Sequence, residues 1–129
     1  STLWDGLYNA LDDYRKRMNT GKSISVKSDG SYITIDTGEI VFIESQNRVT
    51  SIHLSNNNII ETKTPLSSIF ESLPHTDFFR VHKSFIVSFR YITRRDFSSL
   101  NVTGYDYEIP VSRKYTADFK EAYYNYLKE

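Results

Sequence analysis

Hydrophobic residues follow a helical spacing at both ends of the chain. Near the N-terminus they recur every three or four residues with charged residues between them, at Leu3, Leu7, Ala10, Leu11, Tyr14 and Met18. Gly21 then provides a residue that tolerates the left-handed conformation common at helix ends. The same spacing returns near the C-terminus, at Tyr115, Phe119, Ala122, Tyr123 and Tyr126. The pattern predicts an amphipathic helix over residues 3–18, a boundary near Gly21 and a C-terminal helix.

Between these two helices the pattern changes to short runs in which apolar and polar residues alternate. Turn residues such as Asp29-Gly30 separate the runs, which is typical of antiparallel strands. The predicted strands cover residues 24–27, 31–36, 40–44, 49–54, 59–63, 78–81, 85–89, 91–94, 100–102 and 107–111. Helical spacing over residues 65–73, with Thr64 as N-cap and Pro65 at the first helical position, predicts a short internal helix. The sequence therefore predicts a mainly β fold with a short internal helix plus N-terminal and C-terminal helices.

Length and composition favour one domain, because 129 residues suffice for a single core without disulfides or metal cross-links. We divide the chain into an N-terminal linker helix, residues 1–21, and one domain, residues 22–129. The absence of cysteine excludes thiol catalysis and Cys-bound metals, and is typical of a reducing, cytoplasmic compartment. No apolar stretch reaches the roughly 18–20 residues of a membrane span, and no signal peptide is recognisable. A first residue of Ser rather than Met is typical of a processed protein or an excised fragment.

The charge of the chain is balanced overall but unevenly distributed. The formal net charge is +0 at pH 7, with 16 basic and 16 acidic residues. Residues 78–114 contain seven Lys and Arg but three Asp and Glu, a net charge of +4 that leaves −4 on the rest of the chain. This asymmetry indicates a polar face directed at an anion.

Catalytic patterns are missing from the sequence. The histidines, His53, His75 and His82, do not have the short spacing of metal ligands, and the sequence contains none of the common nucleophile, zinc-protease, phosphate-loop or dinucleotide motifs. His53 alternates with apolar residues in a predicted strand, which favours a structural role. No carboxylate pair has a local acid–base spacing, although folding can bring distant carboxylates together. The sequence predicts a protein that is not an enzyme and that has no metal or cofactor.

Residues 78–88 are the most informative stretch. Its apolar residues are suited to anchor two strands, which crowds Arg80, His82, Lys83 and Ser84 where one strand gives way to the next. Side chains of these types donate hydrogen bonds to phosphate oxygens and purine edges. Taken alone, the same cluster also fits an ordinary solvated turn.

This stretch resembles the signature of the LytTR family, the DNA-binding domains found at the C-terminus of many bacterial response regulators. Three further segments match the family in the same order: residues 40–45, the helix over residues 65–73, and residues 109–115. The resemblance extends from about residue 23 to residue 115. It implies an elongated arrangement of small antiparallel sheets that contacts DNA through loop side chains instead of a recognition helix, in agreement with the strand pattern.

The resemblance also implies which residues contact DNA. The family's three contact loops correspond to Gln46, Asn47 and Arg48, to His82, Lys83 and Ser84, and to Ser112, Arg113 and Lys114. Lys83 and Arg113 are the main candidates for base edges in successive major grooves, with Asn47 or Arg48 as a third reader. The phosphate-contacting candidates are Arg80, Ser84 and Lys114. For His82 a role in holding the loop and a role in touching DNA both stay open. A continuation of the phosphate contacts between the second and third loops would fit Arg90, Arg94 and Arg95. The sequence instead favours the interpretation in which these arginines solvate a strand edge.

The function implied is sequence-specific binding of double-stranded DNA for bacterial transcription regulation, in the output domain of a response regulator. The implied partners are paired direct repeats on DNA, a second protomer beside the first, and a missing N-terminal receiver or sensory domain, with no membrane attachment in this fragment. The alternative is a β-rich protein–protein interaction module without DNA binding, which neutral net charge favours slightly. Replacement of Lys83 and Arg113 separates the two, because it abolishes DNA binding but spares docking through the N-terminal helix.

Overall fold

The computed structural model describes residues 22–96 and 98–128. The predicted helix over residues 3–18 lies outside these ranges. Within them the chain forms ten strands, which are β1 (Ser23–Ser28), β2 (Ser31–Asp36), β3 (Ile40–Gln46), β4 (Val49–Leu54), β5 (Ile59–Thr62), β6 (Phe78–His82), β7 (Phe85–Ser88), β8 (Ile92–Arg95), β9 (Ser99–Val102) and β10 (Ile109–Pro110). The helices are α1 (Leu66–Ser72) and α2 (Arg113–Lys128), and single 3-10 turns cover Thr37–Glu39 and Phe89–Tyr91.

The strands form three antiparallel sheets. The largest has the order β5-β4-β3-β7-β6, and the other two are the β1–β2 hairpin and the sheet β10-β9-β8. The predicted mainly β fold of small antiparallel sheets, with a short internal helix and a C-terminal helix, is confirmed. Neither α1 nor α2 is long and apolar enough to cross a membrane.

Two hydrophobic cores cover the two faces of the five-stranded sheet. On one face Ile43 pairs in register with Ile52 and Ile86, and this core is closed by the β1–β2 hairpin and α1. On the other face Phe42 lies in register with Val87, and the sheet β10-β9-β8 and α2 close the second core. Because both faces of β3 are covered, its first four residues are all buried and do not alternate with polar ones.

Several details of the fold differ from the sequence prediction. Phe89 and Tyr91, predicted as strand residues, lie in the 3-10 turn Phe89–Tyr91. Pro65, and not Thr64, occupies the N-cap of α1, and no side chain caps this helix. Thr64 is held in the preceding connection instead, because its carbonyl accepts a hydrogen bond from Thr50 Oγ1 at 2.8 Å. The predicted strand over residues 107–111 shortens to β10, since the carbonyl of Tyr107 accepts from Asn101 Nδ2 at 3.2 Å.

Candidate nucleic-acid interface

The turn between β3 and β4 consists of Asn47 and Arg48, because Gln46 and Val49 are paired across the two strands. Both turn residues have positive φ, 53° at Asn47 and 67° at Arg48. Positive φ at both central positions defines the type I′ turn, whose twist matches that of the flanking strands. Asn tolerates this conformation, whereas Arg adopts it rarely. The turn therefore presents two exposed polar side chains on a rigid hairpin.

The turn between β6 and β7 consists of Lys83 and Ser84, between the paired residues His82 and Phe85. Lys83 is exposed, while His82 and Ser84 are half-buried. Arg80, on β6, directs its guanidinium at this turn, and Nη2 donates to the carbonyl oxygen of Lys83 at 2.7 Å. The exposed Lys83 side chain thus belongs to a turn whose backbone carbonyl is hydrogen-bonded by Arg80.

The third predicted loop precedes α2. The N–H of Ser112 donates to the carbonyl of Val81 at 2.8 Å, and the carbonyl of Ser112 accepts from the N–H of Tyr115 at 2.9 Å. Arg113 and Lys114 form the exposed first turn of the helix. Unpaired N–H groups at a helix start favour anionic ligands, which adds to the charge of these two side chains.

Long-range backbone bonds bring the three loops to one end of the large sheet. The N–H of Ser45 donates to the carbonyl of Ser84 at 2.9 Å, which joins the first two loops, and the Ser112–Val81 bond joins the third. Four strand spacings separate β4 from Ser112, so the row of loops is roughly 20 Å long. We call this row, residues 46–48, 82–84 and 112–114, the loop row.

The sequence predicted the residues of the loop row but not their order in space. Lys83 lies between the other two loops, so the largest separation is between Arg48 and Arg113. Arg80 lies on β6 beside the row, and its Nε and Nη2 donate to the backbone carbonyls of His82 and Lys83. The backbone bonds of Ser45 and Ser112 had no local sequence signal, because each joins segments that are far apart along the chain.

Exposed cations concentrate in the loop row, where Arg48, Lys83, Arg113 and Lys114 are all exposed. Glu44, near the row on β3, is bonded to His53 through Oε1 and Nε2 at 3.1 Å. This hydrogen bond to a neighbouring strand agrees with the structural role expected for His53. The row therefore combines four cations with backbone groups suited to a polyanion.

Three other arginines of the basic segment bind within the protein. Arg94 donates to Asn101, Asp96 and Glu108 at 2.7, 3.1 and 3.1 Å. The guanidinium carbon of Arg95 lies 5.2 Å from the ring centroid of Tyr123. Arg90 donates through Nη1 to the carbonyl of Gly38 at 3.2 Å. The sequence favoured solvation of a strand edge for these three arginines, and in the structure each is exposed but also held by a contact within the protein.

The fold and the loop row define a mainly β domain that presents a basic row of turns at one end of a sheet. A family model described as the LytTr DNA-binding domain matches residues 30–123, which include all three loops. The match covers most of the chain. The protein therefore belongs to the LytTR family of DNA-binding domains.

Individual relatives agree with this family. The chain is 31% identical to the sensory transduction protein LytT of Oceanobacillus iheyensis over 61% of this chain and 35% of the relative. It is 26% identical to the transcriptional regulatory protein LytR of Staphylococcus aureus over 79% of this chain and 43% of the relative. The chain thus spans less than half the length of these curated relatives.

A solved structure has the same fold. It is the LytTr DNA-binding domain of a methyl-accepting/DNA response regulator from Bacillus cereus, with a TM-score of 0.65 and 23% sequence identity. The superposition covers 79% of this chain and 97% of the other. At this identity the likeness concerns the arrangement of strands and helices.

Proposed function

We propose that this chain is a sequence-specific double-stranded DNA-binding domain that regulates bacterial transcription and that has no enzymatic activity. The observation that carries the proposal is the loop row, in which exposed cations from three distant segments share one end of a rigid sheet. Family membership indicates DNA as the ligand, because the family model is that of a DNA-binding domain.

In this proposal the base readers are Lys83 and Arg113, with Asn47 or Arg48 as the third. The row of roughly 20 Å exceeds the width of one major groove, about 12 Å, but is shorter than the spacing of about 34 Å between successive major grooves, so reading of successive grooves requires bent DNA. Arg113 can form a bidentate contact with guanine, while Lys83 offers a point charge. Ser84 and Lys114 contact phosphates, Gln46 borders the first reader, and Ser112 borders Arg113.

The same proposal extends to the whole protein. The relatives are more than twice as long as the matched segments, which supports a receiver or sensory domain N-terminal to this chain and a linker in residues 1–21. The domain 22–129 then acts in the cytoplasm as the output half of a response regulator. Two protomers bind side by side on paired direct repeats.

Selection of bound sequences from a random duplex library, followed by titration of the enriched duplex, tests the proposal. Measured between about 50 and 200 mM salt, the slope of log affinity against log salt should become shallower by about 0.9 for each phosphate that a variant no longer neutralises. Lys83→Ala and Arg113→Ala should weaken binding at least tenfold, the cost of about 1.4 kcal/mol.

The matched control is Lys128→Ala, because Lys128 is exposed at the far end of α2, about 22 Å from its start. This variant should bind like wild type. If the library yields no enriched sequence and no duplex binds at low salt, DNA binding is excluded and the interaction-module alternative takes its place.

A further inference from the structure

The Lys83 turn is built differently from the Arg48 turn. Neither Lys83 nor Ser84 has a positive φ, so this turn lacks the backbone geometry that matches the twist of a hairpin. The register between β6 and β7 also shifts between Arg80 and His82, which is the mark of a bulge. Because the backbone does not fix this turn by itself, its shape depends on other contacts.

His82 provides the first of these contacts. Its Nδ1 accepts the N–H of Ser84 at 3.1 Å, across the two-residue span that an Asx turn bridges. To accept this bond, Nδ1 carries no hydrogen, and the hydrogen of the neutral ring is on Nε2. The ring is half-buried and meets the edge of Phe85, with centroids 5.8 Å apart.

Arg80 provides the second contact. Its Nη2 donates to the carbonyl of Lys83 at 2.7 Å, and its Nε donates to the carbonyl of His82 at 3.4 Å. The two side chains thus bond backbone groups on both sides of the Lys83 Cα atom. Because the backbone of Lys83 is held in this way, the turn loses less conformational freedom on binding than a free loop does.

We propose that His82 and Arg80 are positioning residues that hold the Lys83 turn in the conformation that binds DNA. The inference rests on the proposed function, and it replaces the phosphate contact expected for Arg80. What His82 contributes is an acceptor at the δ1 position; its ring and its Nε2 are dispensable.

Variants of His82 test this assignment. In His82→Asn, Oδ1 takes the place of Nδ1 and accepts the Ser84 N–H, whereas in His82→Gln the amide lies one carbon too far along the side chain. Loss of one such bond corresponds to about a five- to tenfold loss of affinity. His82→Gln and His82→Ala should therefore bind the selected duplex about five- to tenfold more weakly than wild type. His82→Asn should bind within about twofold of wild type.

A matched change at Arg80 separates charge from positioning. Arg80→Lys keeps the positive charge, but a single Nζ does not bond both carbonyls in the fork geometry of Arg. We expect this variant to lose severalfold affinity for the selected duplex, while its salt slope and its affinity for unrelated DNA stay unchanged. If Arg80→Lys binds like wild type, Arg80 acts as a charge and the inference is wrong for it.

Amide hydrogen exchange of Ser84 gives a readout that does not depend on DNA. The Ser84 N–H should exchange slowly in wild type and His82→Asn, and fast in folded His82→Gln. Equal DNA binding by the Asn and Gln variants overturns the inference alone, since wild-type binding then still stands. Absence of any duplex binding by wild type instead overturns the proposed function.

Discussion

Tyr105 packs its ring against Phe42, with ring centroids 4.3 Å apart and 50° between the ring planes. Burial raises the pKa of Tyr105 to about 12, and the charges of Glu44 and Tyr107 add to the effect. The folded protein therefore keeps a proton that the unfolded chain, with the usual tyrosine pKa of about 10, releases. The contribution of Tyr105 to stability should be complete below about pH 10 and lost as the pH rises from 10 to 12.

Titration of tyrosinate absorbance in wild type and in Tyr105→Phe measures this shift. The difference between the two curves belongs to Tyr105, and in the folded protein its midpoint should lie near the raised pKa of about 12. In urea the same difference should have a midpoint near pH 10. A midpoint near 10 in the folded protein would show that Tyr105 is not shielded from water.

Arg48 combines an unfavourable backbone with an exposed charge, which makes it a residue where stability and DNA binding oppose each other. Gly is the preferred residue at the second position of a type I′ turn. Arg48→Gly should therefore stabilise the protein by about 1 kcal/mol in urea unfolding. Affinity for the selected duplex should fall, and the preference for that duplex over unrelated DNA should decrease.

Asn57→Gly is the control for this substitution. Asn57 also has a positive φ, 72°, but it lies in the β4–β5 connection at the opposite end of the sheet. Its replacement should relieve backbone strain without changing DNA binding. If Arg48→Gly binds DNA as wild type does, Arg48 is not a contact residue and the third reader is Asn47.

Local patterns predicted the strands where hairpin signals enclosed them. The predicted bounds of β2 and β4 coincide with the observed ones, because turn residues delimit both strands. The unbroken apolar run over residues 40–43 is typical of a strand buried on both faces, but it does not indicate which elements cover those faces. The sequence pattern also did not indicate the shortening of β10, because the carbonyl of Tyr107 bonds a side chain on β9 instead of a strand.

The residues of the candidate site were predicted by a family resemblance, and their roles in binding remain predictions. Their assembly depends on two backbone bonds, from Ser45 to Ser84 and from Ser112 to Val81. Such bonds depend on the tertiary pairing of distant segments and leave no periodicity in the sequence. The sequence also did not indicate that Arg80 bonds the β6–β7 turn. An arginine in a strand has the same sequence pattern whether its guanidinium faces solvent or donates to a backbone carbonyl.

Arg94 provides a test of whether positive charge or its position decides DNA binding. Its guanidinium is bonded to Asn101, Asp96 and Glu108. Arg94→Ala should leave the salt slope of DNA binding unchanged, whereas Lys114→Ala, at a proposed phosphate contact, should lower it by about 0.9. A reduced slope in both variants would mean that the phosphate track extends along β8.

The same Arg94→Ala variant has an effect independent of DNA. The backbone N–H of Ser98 and the Arg94 side chain hold the pKa of Asp96 below its usual range. Removal of Arg94 should therefore raise the pKa of Asp96, and carbon NMR of its carboxyl group during acidification measures the change. The stabilisation from this depressed pKa is present at neutral pH and is lost as the pH falls, so the variant should lose less stability on acidification.

Phe119 anchors α2, and with it the third loop, to the second core. The side chain is 2% exposed, and its ring lies 5.7 Å from that of Phe79 and 6.0 Å from that of Phe89, between centroids. Phe119→Ala should lower the free energy of unfolding by about 3–5 kcal/mol in urea, because the cavity cannot close completely. Leu127→Ala, at a position 61% exposed on the same helix, should change it by less than about 0.5 kcal/mol. Equal effects of the two substitutions would show that α2 does not pack on the sheet through Phe119.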